Sequence, residues 1–204
     1  LTFDQDHFEQ LQAQLPELPI AKRQRFEAEY GFTAEDARLL TADAALASFV
    51  EHTISELQEW AGSSDVDWAT HRPALMKLLG GWLTSELFKL MNEHHHTAAD
   101  LKITPENMAE FVLMIFQKKV NSTAGQKLLR LMYETAGDPS NLLIEHDLAQ
   151  TGDVGELTAA AQAAIAAHPD QVAQYRAGKV TIIQFFIGQV MKATRGKADA
   201  ANIQ

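Results

Sequence analysis

The side chains that could do chemistry fall into three groups. The first is His94-His95-His96, a run with the imidazoles of a metal site. Consecutive residues on a helix point about 100° apart, so three in a row do not converge on one ion, whereas ligands spaced i,i+4 would. The run reads as a solvated helix end or loop. The second group is the carboxylate pairs Glu27/Glu29, Glu56/Glu59 and Asp65/Asp67, none spaced for acid–base work in a recognisable motif. They read as solvated faces. No Gly-rich phosphate loop follows a strand, and no Ser or His stands in a nucleophile-elbow context. The third group is basic and lies near the C-terminus: Arg176, Lys179, Lys192, Arg195 and Lys197, interleaved with Gly178, Gly188 and Gly196. From residue 171 onward these five cations meet a single acid, Asp199, in a chain of net charge −10. Cations concentrated against an acidic background suit a polyanion. Cations near helix ends also complement the helix dipole, at about 0.3–1 kcal/mol each. That accounts for Lys192 and Arg195 more fully than for two successive clusters.

Composition narrows the classes. At 204 residues and 46% hydrophobic content the chain is long and apolar enough for one or two packed cores. There is no cysteine, which removes disulfides, thiolate zinc sites, iron–sulfur clusters and cysteine nucleophiles together. No apolar run approaches the ~18 residues that a membrane span needs. The first residue is Leu1 rather than Met, which suits a chain either processed or cut from something longer.

The elements that must position the basic residues read as helices almost throughout. The expected order begins with a helix from about Ile20 to Tyr30, stopped by Gly31. A short one to Leu40 follows, opened by Thr33 and Asp36 as a capping box. Thr41 is expected to cap the next helix, which carries Leu46, Val50, Ile54 and Leu57 and ends before Gly62. Pro73 is placed in a first helical turn, ahead of an apolar segment from Leu75 to Met91. Gly80-Gly81 inside that segment either bends it or admits a neighbour, and the bulk of Trp82 favours close packing. Thr104-Pro105 opens a helix to about Gln117. Ser122 or Thr123 opens another, stopped at Gly137. Asp138-Pro139 starts a short helix, and Asp153 with Glu156 opens an alanine-rich one to Ala167. His168-Pro169 starts a helix ending at Gly178, and a last helix runs from about Val180 to Thr194, stopping at Gly196. Thr181 to Val190 also has strand propensity; length and end signals read as a buried helix, while periodicity alone does not separate the two. The expectation is an all-α chain, with a helical scaffold over 1–138 and a three- to four-helix tail over 139–204.

Particular stretches carry a family resemblance. HPDQVAQYRAGK at 168–179, IGQVMKATRGKADA at 187–200 and LIEHDLAQTGDVGEL at 143–157 resemble the B subunits of the aspartyl/glutamyl-tRNA amidotransferases (the GatB family). The likeness is to the C-terminal end shared with YqeY-like proteins. LPELPIAKRQRFEAEYGFTAEDARLLT at 15–41, GGWLTSELFKLMNE at 80–93 and ITPENMAEFVLMI at 103–115 extend it to nearly the whole chain. The sequence departs from the family at Gln184, where Gly is common, and near Ala200 and Ala201, where Pro is.

The resemblance implies a heterotrimeric, cytoplasmic bacterial enzyme, or an organellar homologue. In it an amidase subunit releases ammonia from glutamine, and a small third subunit completes the trimer. The GatB subunit uses ATP to activate the carboxylate of Glu or Asp mischarged on tRNA-Gln or tRNA-Asn, and ammonia completes the amide. ATP and Mg2+ belong to an N-terminal catalytic domain outside this chain, so no catalytic, cofactor or metal residue is expected in it. Its implied role is tRNA binding, with Arg176, Lys179, Lys192, Arg195 and Lys197 on the RNA backbone and Gly178, Gly188 and Gly196 allowing turns or close approach. The alternative is a helical module that docks partner subunits without touching tRNA.

Overall fold

The computed structural model describes residues 17–149, 154–194 and 198. Among them every regular element is helical, as the sequence reading expects. Helices α1 (Pro19–Tyr30), α2 (Ala34–Leu40) and α3 (Ala44–Gly62) lead into α4 (Trp68–Gly81). A π-helical turn, Trp82–Leu87, joins α4 without a break to α5 (Phe88–His94). Then come α6 (Pro105–Phe116), α7 (Ser122–Thr135), α8 (Pro139–Glu145), α9 (Val154–Ala167), α10 (Pro169–Arg176) and α11 (Ile183–Ala193). No helix among the described residues is long and apolar enough to cross a membrane.

Side-chain caps open several of the helices. Thr33, Thr104 and Asp138 each accept a hydrogen bond from the backbone N–H three residues on, which satisfies an otherwise orphaned donor. Four expectations need correction. Asp43, not Thr41, caps α3, because the Thr41 hydroxyl is already donated back to the Ala37 carbonyl at 2.6 Å. Asp67 caps α4 well upstream of Pro73, so the proline lies inside the helix and denies the Ala69 carbonyl its partner. Asn121, rather than Ser122 or Thr123, caps α7, its Oδ1 accepting from Ala124 N at 2.9 Å. That helix closes on Ala136, which takes the left-handed conformation (φ 56°) one residue before Gly137. The expected Asp153 cap and the Gly196 stop lie outside the described residues.

One large core gathers α1 to α8. The α3–α6 pair is its most extensive contact, and Val50, Ile54 and Leu57 of α3 are buried in the same cluster as Met108, Phe111 and Val112 of α6. Lys22 and Arg25 of α1 pair with Glu51 of α3, which holds α1 on the outside of that pair. Leu142 of α8 belongs to the same core, so packing continues past the Gly137–Pro139 junction where the sequence shows its best seam. A second, small cluster joins Leu157 and Ala164 of α9, Val190 of α11, and Ala198.

The Gly80-Gly81 pair divides its roles. A Cβ on Gly80 would sit 3.2 Å from the Phe32 ring, so close packing is real there. Gly81 faces open space in ordinary helical backbone (φ −61°, ψ −45°). The π turn that follows swings Trp82 onto Phe111, edge to face at 5.0 Å, and onto Gly125 of α7. A Cβ on Gly125 would lie 2.9 Å from the indole and 2.7 Å from Ile115. Gly125→Ala should therefore destabilise the chain by about 1–3 kcal/mol through overpacking. Gly81→Ala should stabilise it by about 0.5–1 kcal/mol through propensity alone. Urea unfolding followed by tryptophan fluorescence reads both, since Trp60, Trp68 and Trp82 all lie in the large core unit.

Glu110 is the buried acid of this core, 8% exposed, and it accepts a hydrogen bond from the Ser140 hydroxyl of α8. Burial pushes its carboxyl above the ordinary range, and the nearby Asp138 and Glu106 carboxylates add to this against the Ser140 hydrogen bond. The folded state thus holds the proton more tightly than the unfolded chain. The stability this contributes is complete below the ordinary carboxylate pKa of about 4.3 and is lost as pH rises through the raised value. Glu110→Gln keeps the Ser140 hydrogen bond without a titrating group. Wild type should lose stability relative to Glu110→Gln as pH rises above the ordinary carboxylate pKa, measured by urea unfolding at stepped pH.

Candidate nucleic-acid interface

The basic residues sit on α10, α11 and the turn between them. Pro169 starts α10 at a position where its missing N–H costs no hydrogen bond. The helix ends in two reverse hydrogen bonds: Gly178 N donates to the Tyr175 carbonyl at 3.0 Å, and Lys179 N donates to the Gln174 carbonyl at 3.1 Å. This pairing, with Gly178 at φ 97°, is a Schellman closure and requires the glycine. It leaves Arg176 in the last helical turn and Lys179 just beyond, where its Nζ reaches Gln174 Oε1 at 3.4 Å. A 3-10 turn, Val180–Ile182, then feeds α11.

Lys192 occupies the last turn of α11. The helix is 11 residues, roughly 16 Å, so Arg176 and Lys179 stand at one end and Lys192 at the other. Their faces differ too. Ile183, Phe186, Ile187 and Val190 recur at helical spacing and turn toward α9 and α10. Gln184, Gly188 and Lys192, at i, i+4 and i+8, form an exposed stripe on the other side. A Cβ on Gly188 would meet nothing within 4 Å, so this chain itself does not need the glycine for packing. Arg195, Gly196 and Lys197 lie outside the described residues. Among the described residues none of Arg176, Lys179 and Lys192 pairs with a carboxylate, unlike Lys22, Arg25, Arg38 and Arg130.

The tail helices also shape an open apolar groove of about 320 Å³, lined by α9, α10 and α11, with Tyr175 and Arg176 among its walls. Tyr175 is absent from the sequence candidates because a lone tyrosine carries no motif. Its spacing from Val172 on α10 is the available sign of a shared face.

The histidine run is exposed, as expected for a helix end. It is nonetheless organised. His94 Nδ1 donates to the Leu90 carbonyl at 2.9 Å, His95 closes α5 at φ 55°, and His96 Nδ1 lies 2.7 Å from the Tyr133 hydroxyl. The Tyr133 ring stacks on His96 and tilts against His94. Among the described residues no group of three or more His, Asp or Glu could hold a metal ion. Tyr133, 37 residues from His96, could not be tied to it by any local pattern.

A family model described as the GatB domain matches residues 68–204, from the first residue of α4 through the tail. The B subunit of the aspartyl/glutamyl-tRNA(Asn/Gln) amidotransferase of Rippkaea orientalis is 33% identical over 194 residues, covering 95% of this chain and 36% of its own length. The protein of the same name from Novosphingobium aromaticivorans is 36% identical over 200 residues, covering 98% and 39%. That of Myxococcus xanthus is 34% identical over 187 residues, covering 92% and 36%. The chain thus spans little more than a third of the length of the curated relatives it matches.

The Schellman closure places Lys179 and orients the end of α10, so Gly178→Ala should cost about 1–2 kcal/mol in the tail helices. Amide hydrogen exchange should show faster exchange across α10 and unchanged protection in α3 and α6.

Proposed function

Because this chain belongs to the GatB domain family, we propose that it holds tRNA for an aspartyl/glutamyl-tRNA(Asn/Gln) amidotransferase. In this reading the whole protein works with an amidase subunit and a small third subunit on Glu-tRNA(Gln), Asp-tRNA(Asn) or both. The ATP-dependent activation takes place in other parts of the assembly. We further propose that the chain divides after α8 into a helical scaffold and a tail module of α9 to α11. This differs from the seam at 138/139 by one helix, since Leu142 packs in the larger core.

The observation that carries the tRNA reading is the trio Arg176, Lys179 and Lys192. In a chain of net charge −10 these cations are exposed, free of carboxylate partners among the described residues, and spread over the length of α11. A spread of that size suits an extended polyanion better than a single phosphate. RNA helices are held largely through backbone and shape, which fits a sparse set of cations.

Exposed Leu18 and Ile20 at the start of α1 favour a second reading, in which the scaffold docks a partner subunit. The two are compatible, because the apolar residues and the cations lie on different helices.

Titration of the chain with tRNA at several salt concentrations tests the first reading. Arg176→Glu and Lys192→Glu should each weaken binding and flatten the log–log salt dependence by roughly 0.7–0.9 for each phosphate no longer neutralised. A double variant with wild-type affinity and slope takes both residues off the tRNA surface. Binding of the amidase subunit with no tRNA binding at low salt leaves the docking reading alone.

A further inference from the structure

Neither the cations nor the family assignment accounts for the apolar groove between α9, α10 and α11. It exists because α9 is alanine-rich: Ala161 and Ala164 let α11 come close but are too small to fill the space beside α10. Ile165 and Tyr175 are consequently left 50% and 43% exposed at its edge. Its floor is braced, since Phe186 packs edge-on against Phe185 at 5.5 Å and Phe185 against His168 at 4.9 Å. Among the described residues that line it, Arg176 alone is charged.

The occupant must therefore be largely apolar, small and negatively charged at one point. A volume of about 320 Å³ lies at the low end for small-ligand sites. A docked peptide helix would need anchors at i, i+3 or i+4, and i+7, spread over roughly 10 Å. A nucleotide has the required form: a flat base with two apolar faces and one phosphate. Unpaired RNA bases are read by stacking on aromatic rings and guanidinium planes.

We propose that the groove seats one unpaired, everted nucleobase of the bound RNA, with its ring against Tyr175 and Phe186 and its phosphate on Arg176. This deepens the tRNA reading and rests on it. The tail then contributes selection for an unstacked base as well as charge, and the Gln184–Gly188–Lys192 stripe on the opposite face of α11 takes no part in it.

The test titrates the whole 204-residue chain with two synthetic RNAs: a hairpin with 2-aminopurine at a single-nucleotide bulge, and a fully paired duplex of equal length. The bulged RNA should bind more tightly, with a change in 2-aminopurine fluorescence. Tyr175→Ala should weaken the bulged RNA about 5- to 150-fold, the range of base–aromatic stacking, while duplex affinity and salt slope stay unchanged. Tyr175→Trp should restore binding, and Ile165→Glu at the groove edge should weaken it. Arg176→Glu should weaken both RNAs. These positions are exposed, and far-UV circular dichroism checks that the variants fold. If Tyr175→Ala and Ile165→Glu leave bulged-RNA affinity and fluorescence unchanged while Arg176→Glu weakens both RNAs, the base pocket is overturned and tRNA binding stands. If wild type binds neither RNA at low salt, both readings fall. If the two groove variants lose the amidase subunit but keep the RNA, the groove is a protein-docking face and the proposal is overturned.

Discussion

The large core depends on how one indole is housed. Trp82 stands at the start of the π turn, and its ring lies edge-on against Phe111 while its far end meets the bare Cα of Gly125. Three helical segments therefore meet at one residue. The π turn sets the direction of Trp82, Phe111 lies near the middle of the α3–α6 pair, and Gly125 fixes how near α7 comes. Interiors are packed to near-crystalline density, so such a contact has little slack. The position of α7 then determines that of α8, whose Leu142 reaches the same core and whose Ser140 satisfies the buried Glu110. The continuity of the core past Pro139 follows from that chain of contacts.

The parts of this arrangement that are legible in sequence are those that depend on neighbours in the chain. Thr33, Thr104 and Asp138 cap helices within three residues, and each was readable. Two of the misread boundaries share a form: two nearby residues both suited one role and the contacts each makes decided between them. Thr41 and Asp43 both had the chemistry to cap α3, and Thr41 was spent closing α2. Ala136 took the left-handed position that Gly137 would fill at less strain, because Gly137 is packed against Leu142. The π turn had a trace in Gly80-Gly81, but its length had none. The stack of His94 and His96 on Tyr133 joins residues 37 or more apart, beyond any local periodicity.

The candidate site was legible as a list of residues but not as a surface. Charge counting groups Arg176, Lys179 and Lys192 because they are close in sequence. Helical geometry separates them, placing Arg176 in the wall of the groove and Lys192 two residues beyond Val190, roughly 200° around the axis. Only the direction of each Cβ reveals this, and that in turn requires knowing that 183–193 is a helix rather than the strand its composition also permits.

The same geometry bears on what the cations can do. Arg176 and Lys192 occupy last turns, where the helix carries an excess of about half a negative charge on its free carbonyls. Each therefore stands beside a partial charge that opposes phosphate, the reverse of the arrangement at a helix N-terminus. Part of its positive potential is offset locally, and the acidic remainder of the chain adds a repulsive background for RNA. If the tail binds RNA as proposed, three cations so placed would supply orientation and a shallow attraction rather than tight binding. A module that holds RNA under these conditions needs a contribution that salt does not screen. In the proposed reading the apolar groove beside Arg176 supplies it, because a base stacked on Tyr175 would draw on desolvation instead of charge.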